Sequence, residues 1–168
     1  MHRSLAEMAQ GTGERMTNAP CEVWFYHLER TSLDQALPEL LEKTLARGWK
    51  ALVRSTERER VDHLDGWLWS YRDDSFLPHG RDDEPFPERQ PVLITLAMQN
   101  PNGADALFLI DGAEPGDISG FARCVLLFDG RDEAAVAAAR RKWSGFKAAG
   151  AAVSYWRQGE SGGWRKEA

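Results

Sequence analysis

The sequence contains few of the residues from which covalent or metal cross-links are built. Only two cysteines occur in the 168 residues, Cys21 and Cys124, and neither belongs to a CxxC motif. The four histidines show no HxxxH or HExxH spacing. We therefore expect no disulfide framework, no structural zinc and no other cofactor.

Long apolar runs and an excess of positive charge are also missing. No run approaches the roughly 18 apolar residues of a membrane helix, and the N-terminus lacks the apolar core of a signal peptide, so we expect a cytoplasmic protein. Asp and Glu number 26 against 21 Lys and Arg, which gives a formal net charge of -5. This charge balance argues against a broad surface for binding duplex DNA, although it is compatible with a local basic patch.

Signatures of phosphate binding and catalysis are absent as well. HLERTS follows the first predicted strand where a dinucleotide-binding protein has GxGxxG, and neither GxxxxGK[ST] nor GxSxG occurs. Adjacent carboxylates do occur at Asp73 and Asp74 and at Asp82, Asp83 and Glu84. Because they lie in a segment that also contains several arginines, a solvated loop is the better interpretation, and an enzyme with its own active site is the weaker hypothesis.

What the sequence does contain is an alternation of β-rich runs and amphipathic helical stretches. With 42% hydrophobic residues the chain can bury one core. The pattern predicts strands at 22–28, 49–54, 91–97, 104–110, 123–128 and 152–157, and helices at 33–48, 57–71 and 132–149. We therefore predict an α/β fold, a three-layer α/β/α sandwich around a mostly parallel sheet that is Rossmann-like without the nucleotide-binding fingerprint.

Capping patterns and composition set the expected boundaries. Ser32 with Gln35, and Thr56 with Glu59, match capping boxes at the starts of the first two helices. We expect residues 1–19 to be a disordered leader, part of which lies upstream of a possible second start at Met16. Residues 20–158 then form the domain, residues 72–90 a long loop, and residues 159–168 a loosely ordered tail.

The last predicted helix carries a basic and aromatic stripe. At about 100° per residue, Val136, Arg140, Trp143 and Lys147 fall within roughly 60° of one another, with Arg141 at the edge. This stripe suits an acidic peptide with an aromatic end. Two other interpretations are open: Trp143 is a core residue and the cations complement the helix dipole, or single-stranded nucleic acid stacks on Trp143.

A second aromatic cluster lies near the end of the second helix. Trp67 and Trp69 are separated by about 200° around a helix, so they cannot face the same way. Trp69, Phe76 and Leu77 could form a rim that anchors a partner protein. The alternative is that Phe76 and Leu77 fold under the loop and close the core.

Several segments together resemble a known family. The sequence is similar to the chi subunit of bacterial DNA polymerase III over roughly residues 20–157. The segments that carry this resemblance are EVWFYHL, LLEKTLARGWKALVR, LDGWLWSYRDDSFLPHG, QPVLIT, NGADALFLIDG and VLLFDGRDEAAVAAARRKWSGFKAAG.

The resemblance implies a non-catalytic accessory subunit of the clamp-loader assembly, within a DNA-directed DNA polymerase, a nucleotidyltransferase. Chi subunits act in DNA replication by linking the replicase to the single-stranded-DNA-binding protein (SSB), whose acidic C-terminal tail ends in phenylalanine. Arg140, Trp143 and Lys147 match the tail-binding surface, while Val136 and Ser144 depart from it and predict weaker tail affinity. Contact with DNA would then be indirect.

The family's second surface implies a second partner. Trp69 and Phe76, with Leu77 beside them, match the surface that takes the psi subunit or a repair helicase. The alternative function is a stand-alone nucleotide-binding or enzymatic α/β domain. The only support for it is the predicted α/β layering, which is an argument by analogy.

Overall fold

The structure, a computed structural model, describes residues 20–72, 77–160 and 163–168. These residues form three α-helices and an eight-stranded sheet. The helices are α1 (Leu33–Ala46), α2 (Arg58–Ser70) and α3 (Glu133–Ala148). The strands are β1 (Glu22–Leu28), β2 (Ala51–Arg54), β3 (His79–Arg81), β4 (Val92–Thr95), β5 (Ala106–Leu109), β6 (Arg123–Asp129), β7 (Ala152–Gln158) and β8 (Trp164–Lys166).

The sheet is parallel except at one edge. Its strand order is β3-β4-β2-β5-β6-β1-β7-β8, and only β8 runs antiparallel to its neighbour. β1 lies between β6 and β7, with Tyr26 opposite Leu127 on one side and Trp156 on the other. The helices lie on both sides of this sheet, so the predicted three-layer α/β/α fold is confirmed.

Two hydrophobic clusters fill the spaces between the layers. On one face, α1 and α2 bury Leu37, Leu41 and Leu64 against the sheet. On the other face, Ala139 of α3 and Phe25 of β1 belong to the second cluster. Burial on both faces explains why the central strands are continuous apolar runs rather than alternating ones.

Arg54 is a buried cation that fastens two connecting segments. The residue is only 2% exposed, and its guanidinium donates hydrogen bonds to four main-chain carbonyls. The acceptors belong to Ala97 and Met98 in one segment and to Glu114 and Pro115 in another. Burial lowers the pKa of Arg54, while the carbonyl oxygens replace the water that the guanidinium loses.

Several local predictions are confirmed. β1 has the predicted bounds, and Ser32 and Gln35 form the reciprocal capping box at the start of α1. α3 begins after Asp132, whose carboxylate accepts hydrogen bonds from the main-chain N–H groups of Ala134 and Ala135. Gly150 follows the helix with φ +83°, as a glycine after a helix end commonly does.

Other local predictions were wrong. The second capping box does not form: Glu57 is the N-cap and makes no side-chain cap hydrogen bond. Instead, Ser55 Oγ accepts a hydrogen bond from the Glu57 N–H, and Thr56 Oγ1 donates to the carbonyl of Asp111. Ser55, directly after β2, thus supplies the hydroxyl that bonds to this turn, and the Asp111 carbonyl beyond β5 draws the Thr56 side chain away from α2.

Two edge strands lie where the sequence predicts irregular chain. β3 falls inside the predicted 72–90 loop, and β8 falls inside the segment predicted to be a loosely ordered tail. β8 is held by pairing with β7 and by Trp164, whose ring meets Tyr26 edge-on at 4.7 Å between centroids. The predicted leader, residues 1–19, lies outside the described residues.

Candidate functional site

The outer face of α3 presents positive charge. Arg140, Arg141 and Lys147 are exposed, whereas Ala139 on the inner face is buried. None of these three cations forms an ion pair with a described residue. Lys142 does, since its Nζ lies 3.8 Å from Glu114 on another side of the helix. The basic face is thus made of charges that are not neutralised by neighbouring carboxylates.

Trp143 forms the aromatic floor beside these cations. Its ring is partly buried and meets Phe25 edge-on at 5.3 Å and Tyr155 edge-on at 5.8 Å between centroids. The Lys147 ammonium lies 5.8 Å from the centroid of the Trp143 ring. Trp143 therefore packs α3 on the sheet, as the core interpretation predicts, and also borders the basic face.

The two residues that depart from the family pattern differ in exposure. Val136 is half-buried, and Ser144 is exposed. Neither contributes charge, so Arg140, Arg141 and Lys147 provide the cations of the outer face.

β7 and the end of β1 supply a wall that the sequence interpretation missed. The Tyr155 hydroxyl lies 2.6 Å from His27 Nδ1. Arg157 is ion-paired with Glu29. The only sequence signal was the aromatic content of the predicted last strand, because nothing in the spacing brings residues 27 and 155 together.

The electrostatics of this wall follow from burial and from the nearby arginines. Burial, followed by the positive charge of Arg157 and by a smaller effect of Arg140, lowers the pKa of His27. Burial raises the pKa of Tyr155. The hydrogen bond from Arg157 lowers the pKa of Glu29. At neutral pH the wall thus carries a neutral imidazole and phenol beside the cations of α3.

Gly130 lies directly against this imidazole. A Cβ at Gly130 would lie 1.9 Å from His27 Nε2. The chain between β6 and α3 therefore passes directly against the ring. No side chain fits at position 130. This close approach links the start of α3 to the wall formed by β1 and β7.

The second predicted surface is only partly assembled. Trp69 is 57% exposed, and its ring meets His79 at 5.3 Å between centroids. Trp67 instead donates its indole N–H to the Asp34 carbonyl, so the two tryptophans face different ways as predicted. Leu77 is 2% exposed and belongs to the core, so its side chain packs inward, as in the alternative interpretation, and is not part of an exposed rim. Phe76 lies outside the described residues.

A cleft of about 670 Å³ lies at the carboxyl ends of β1, β5 and β6. In open α/β sheets this is where nucleotides bind. Here the carboxylates of Asp111, Asp129 and Asp132 line the cleft, and Arg60 is bonded to Asp111. The start of α3 is already capped by Asp132. Carboxylates at these positions repel phosphate, so the cleft does not favour the nucleotide-binding alternative.

Two further features concern the described part of the chain, namely clusters of metal-ligating side chains and membrane-spanning helices. No group of three or more His, Cys, Asp or Glu side chains there could hold a metal ion. None of the helices there is both long enough and apolar enough to cross a bilayer.

The fold and the α3 surface define a class: a three-layer α/β/α protein with a basic and aromatic helix face. Residues 21–154 match the family model described as "DNA polymerase III chi subunit, HolC". The chain belongs to this family, which confirms the resemblance noted in the sequence.

Two curated proteins are similar to the chain. The "Probable DNA polymerase III subunit chi" of Rickettsia prowazekii (strain Madrid E) is 34% identical over 94 residues, which is 56% of this chain and 55% of that protein. The "DNA polymerase III subunit chi" of Pseudomonas aeruginosa is 29% identical over 89 residues, 53% of this chain and 61% of that protein. The chain thus spans a little more than half the length of the relatives it matches.

Proposed function

We propose that this protein is a non-catalytic chi subunit of the DNA polymerase III holoenzyme, which links the clamp loader to SSB during DNA replication in the cytoplasm. The site for the acidic SSB tail is the outer face of α3, made by Arg140, Trp143 and Lys147 with Arg141 beside them. The observation that carries this proposal is the combination of exposed cations that have no carboxylate partner among the described residues and a partly exposed tryptophan beside them.

The chemistry of the tail matches each part of this surface. Its carboxylates, including the terminal one, would accept charge-assisted hydrogen bonds from the guanidinium of Arg140 and the ammonium of Lys147. Its final phenyl ring would pack on the exposed part of Trp143. The Tyr155 hydroxyl and the ion pair of Arg157 with Glu29, on the adjoining wall, extend the polar lining.

A second partner, the psi subunit or a repair helicase, is proposed to bind around Trp69 and Phe76. The support for this proposal is that Trp69 is exposed while its ring packs edge-on against His79. Both nitrogens of the His79 imidazole lie within hydrogen-bond distance of main-chain carbonyls, those of Leu77 and Asp65. An exposed tryptophan held in this way is typical of an interface anchor.

Fluorescence anisotropy with a labelled acidic peptide that ends in phenylalanine tests the tail site. We expect the wild-type protein to bind the peptide, with an affinity that falls as salt is raised. Arg140→Glu should weaken binding about tenfold or more, because it replaces an attractive contact with a repulsive one.

Two control variants make this result specific. Lys43→Glu reverses a charge on α1, across the sheet from α3, and Trp69→Ala alters the second surface; both should bind the peptide as the wild type does. A peptide without its terminal phenylalanine should bind more weakly. Equal affinity of Arg140→Glu and wild type, with both proteins folded, would contradict the assignment of the tail to α3.

A further inference from the structure

A groove lies on the face of the sheet opposite α3. It has a volume of about 600 Å³ and runs between the last turns of α1 and strand β8. Four of the seven tryptophans in the chain line it: Trp24, Trp49, Trp156 and Trp164. Such a concentration of indole rings on one face requires a physical explanation, which the family's two proposed surfaces do not supply.

The rings form a nearly continuous floor. Trp24 and Trp156 are stacked with centroids 5.0 Å apart and an interplanar angle of 27°. Tyr26 lies 6.0 Å from Trp156 with an interplanar angle of 9°. Trp164 meets Tyr26 edge-on. All but Tyr26 remain partly accessible, so the groove presents aromatic surface to solvent.

Cations line the amino end and the α1 rim of this floor. The Arg123 guanidinium lies 3.8 Å from the centroid of Trp24 and 5.2 Å from that of Trp49. Arg47 lies 4.2 Å from the centroid of Trp49, and Lys43 is exposed one helical turn before it. Arg123 is bonded to Glu22, but its buried Nε has no hydrogen-bond partner among the described residues.

The composition of the groove discriminates between classes of ligand. A partner helix inserts side chains into aliphatic sockets, yet Leu40 and Val125 are the large aliphatic side chains among the lining residues described. Flat rings interleaved with arginine and lysine instead match nucleobases and their phosphates. Lys43 and Arg47 outnumber Glu39, the one carboxylate among the described lining residues, and Arg123 is paired with Glu22. The local charge is therefore positive and complements a polyanion, although the chain as a whole is acidic.

We propose that this groove binds a short stretch of single-stranded nucleic acid, with bases packed against the exposed parts of Trp156 and Trp164 and phosphates held by Lys43, Arg47 and Arg123. This site is separate from the proposed tail site. Tyr155 faces α3, whereas Trp156, the next residue of β7, faces the groove. Single-stranded nucleic acid can therefore bind on one side of the sheet whether the α3 face is free or occupied.

The test is fluorescence anisotropy of a labelled oligothymidylate of about 15 nucleotides with the full chain at low and moderate salt. We expect binding that weakens steeply with salt because phosphate contacts release counterions. Lys43→Glu combined with Arg47→Glu should weaken binding about tenfold or more. Binding should also quench part of the tryptophan emission, since four of the chain's tryptophans line the site.

Arg140→Glu is the control on the opposite face, because it reverses a single cation there and leaves the groove unchanged. It should bind the oligonucleotide as the wild type does, although it is expected to lose the acidic peptide. Undetectable binding at low salt would overturn the proposal. The proposal would also be overturned if Arg140→Glu lost as much affinity for the oligonucleotide as the double variant does. The nucleic acid would then bind at α3. Both variants are checked by thermal melting, and a folded double variant with wild-type affinity would equally refute the site.

Discussion

Strands β1 and β7 show two different ways of closing the faces of one sheet. On one face, α3 covers them, with Ala139, Trp143 and Phe146 in or against the cluster beneath it. On the other face, Trp24 and Trp156 form the outer layer themselves, and α1 only borders them. The comparison teaches that the face covered by α3 is closed with one tryptophan beside alanine and phenylalanine, whereas the face without such a helix carries several tryptophans and retains a groove.

Trp143→Ala is expected to have the largest effect on the covered face. It removes the ring that joins α3 to Phe25 and Tyr155, and it leaves a cavity between helix and sheet. We expect a loss of about 2–3 kcal/mol in the free energy of unfolding, measured by urea denaturation. A loss below about 1 kcal/mol would mean that α3 docks without this ring and that Trp143 serves mainly the outer surface.

Trp156→Ala should cost less, about 1–2 kcal/mol, on the groove face. Its ring packs on Trp24 and Tyr26, but the space it vacates joins an existing groove that water can enter, so little closed cavity is added. The same denaturation series measures both variants. A cost equal to or larger than that of Trp143→Ala would contradict the distinction between a covered and an open face.

The smallest expected effect is the pH dependence of stability that comes from His27, on the face covered by α3. Its pKa is lowered in the folded protein, so below about pH 6.5 the unfolded chain binds more protons than the folded one. Stability should therefore be fully present above about pH 6.5 and decline as the pH falls through that value towards the lower folded pKa. Thermal melting between about pH 7.5 and pH 5 measures this slope.

His27→Gln should flatten that slope, since glutamine does not titrate. His63→Gln is the matched control: His63 is about half exposed beside Asp34, on the other side of the sheet. If His27→Gln keeps the wild-type slope, the decline comes from other groups and His27 is not held neutral by its surroundings.

Much of the layering was predictable because it depends on local patterns. The apolar run of β1, the Ser32 capping box and the start of α3 at Asp132 each depend on neighbouring residues, and each was found as expected. β3 and β8 were missed because HGR and WRK are three-residue edge strands with no apolar alternation. Pairing with a neighbour, rather than propensity, makes them strands.

The candidate sites also differ in whether local sequence patterns could predict them. The stripe of Arg140, Trp143 and Lys147 repeats at helical spacing and could be found in the sequence. The wall of His27 and Tyr155 could not, since its residues are distant in the chain and meet only because β1 pairs with β7. The aromatic groove was missed for this reason too: Trp24, Trp49, Trp156 and Trp164 belong to four separate segments.

The alternation of Tyr155 and Trp156 along β7 has a thermodynamic consequence. These adjacent residues face opposite sides of a single layer of backbone, so the two proposed ligands would share one strand as a common wall. Any movement of β7 that improves one contact alters the geometry of the other. If such a movement couples the sites, linkage requires the effect to be reciprocal: the factor by which a bound acidic tail changes affinity for the nucleic acid equals the factor by which the nucleic acid changes affinity for the tail.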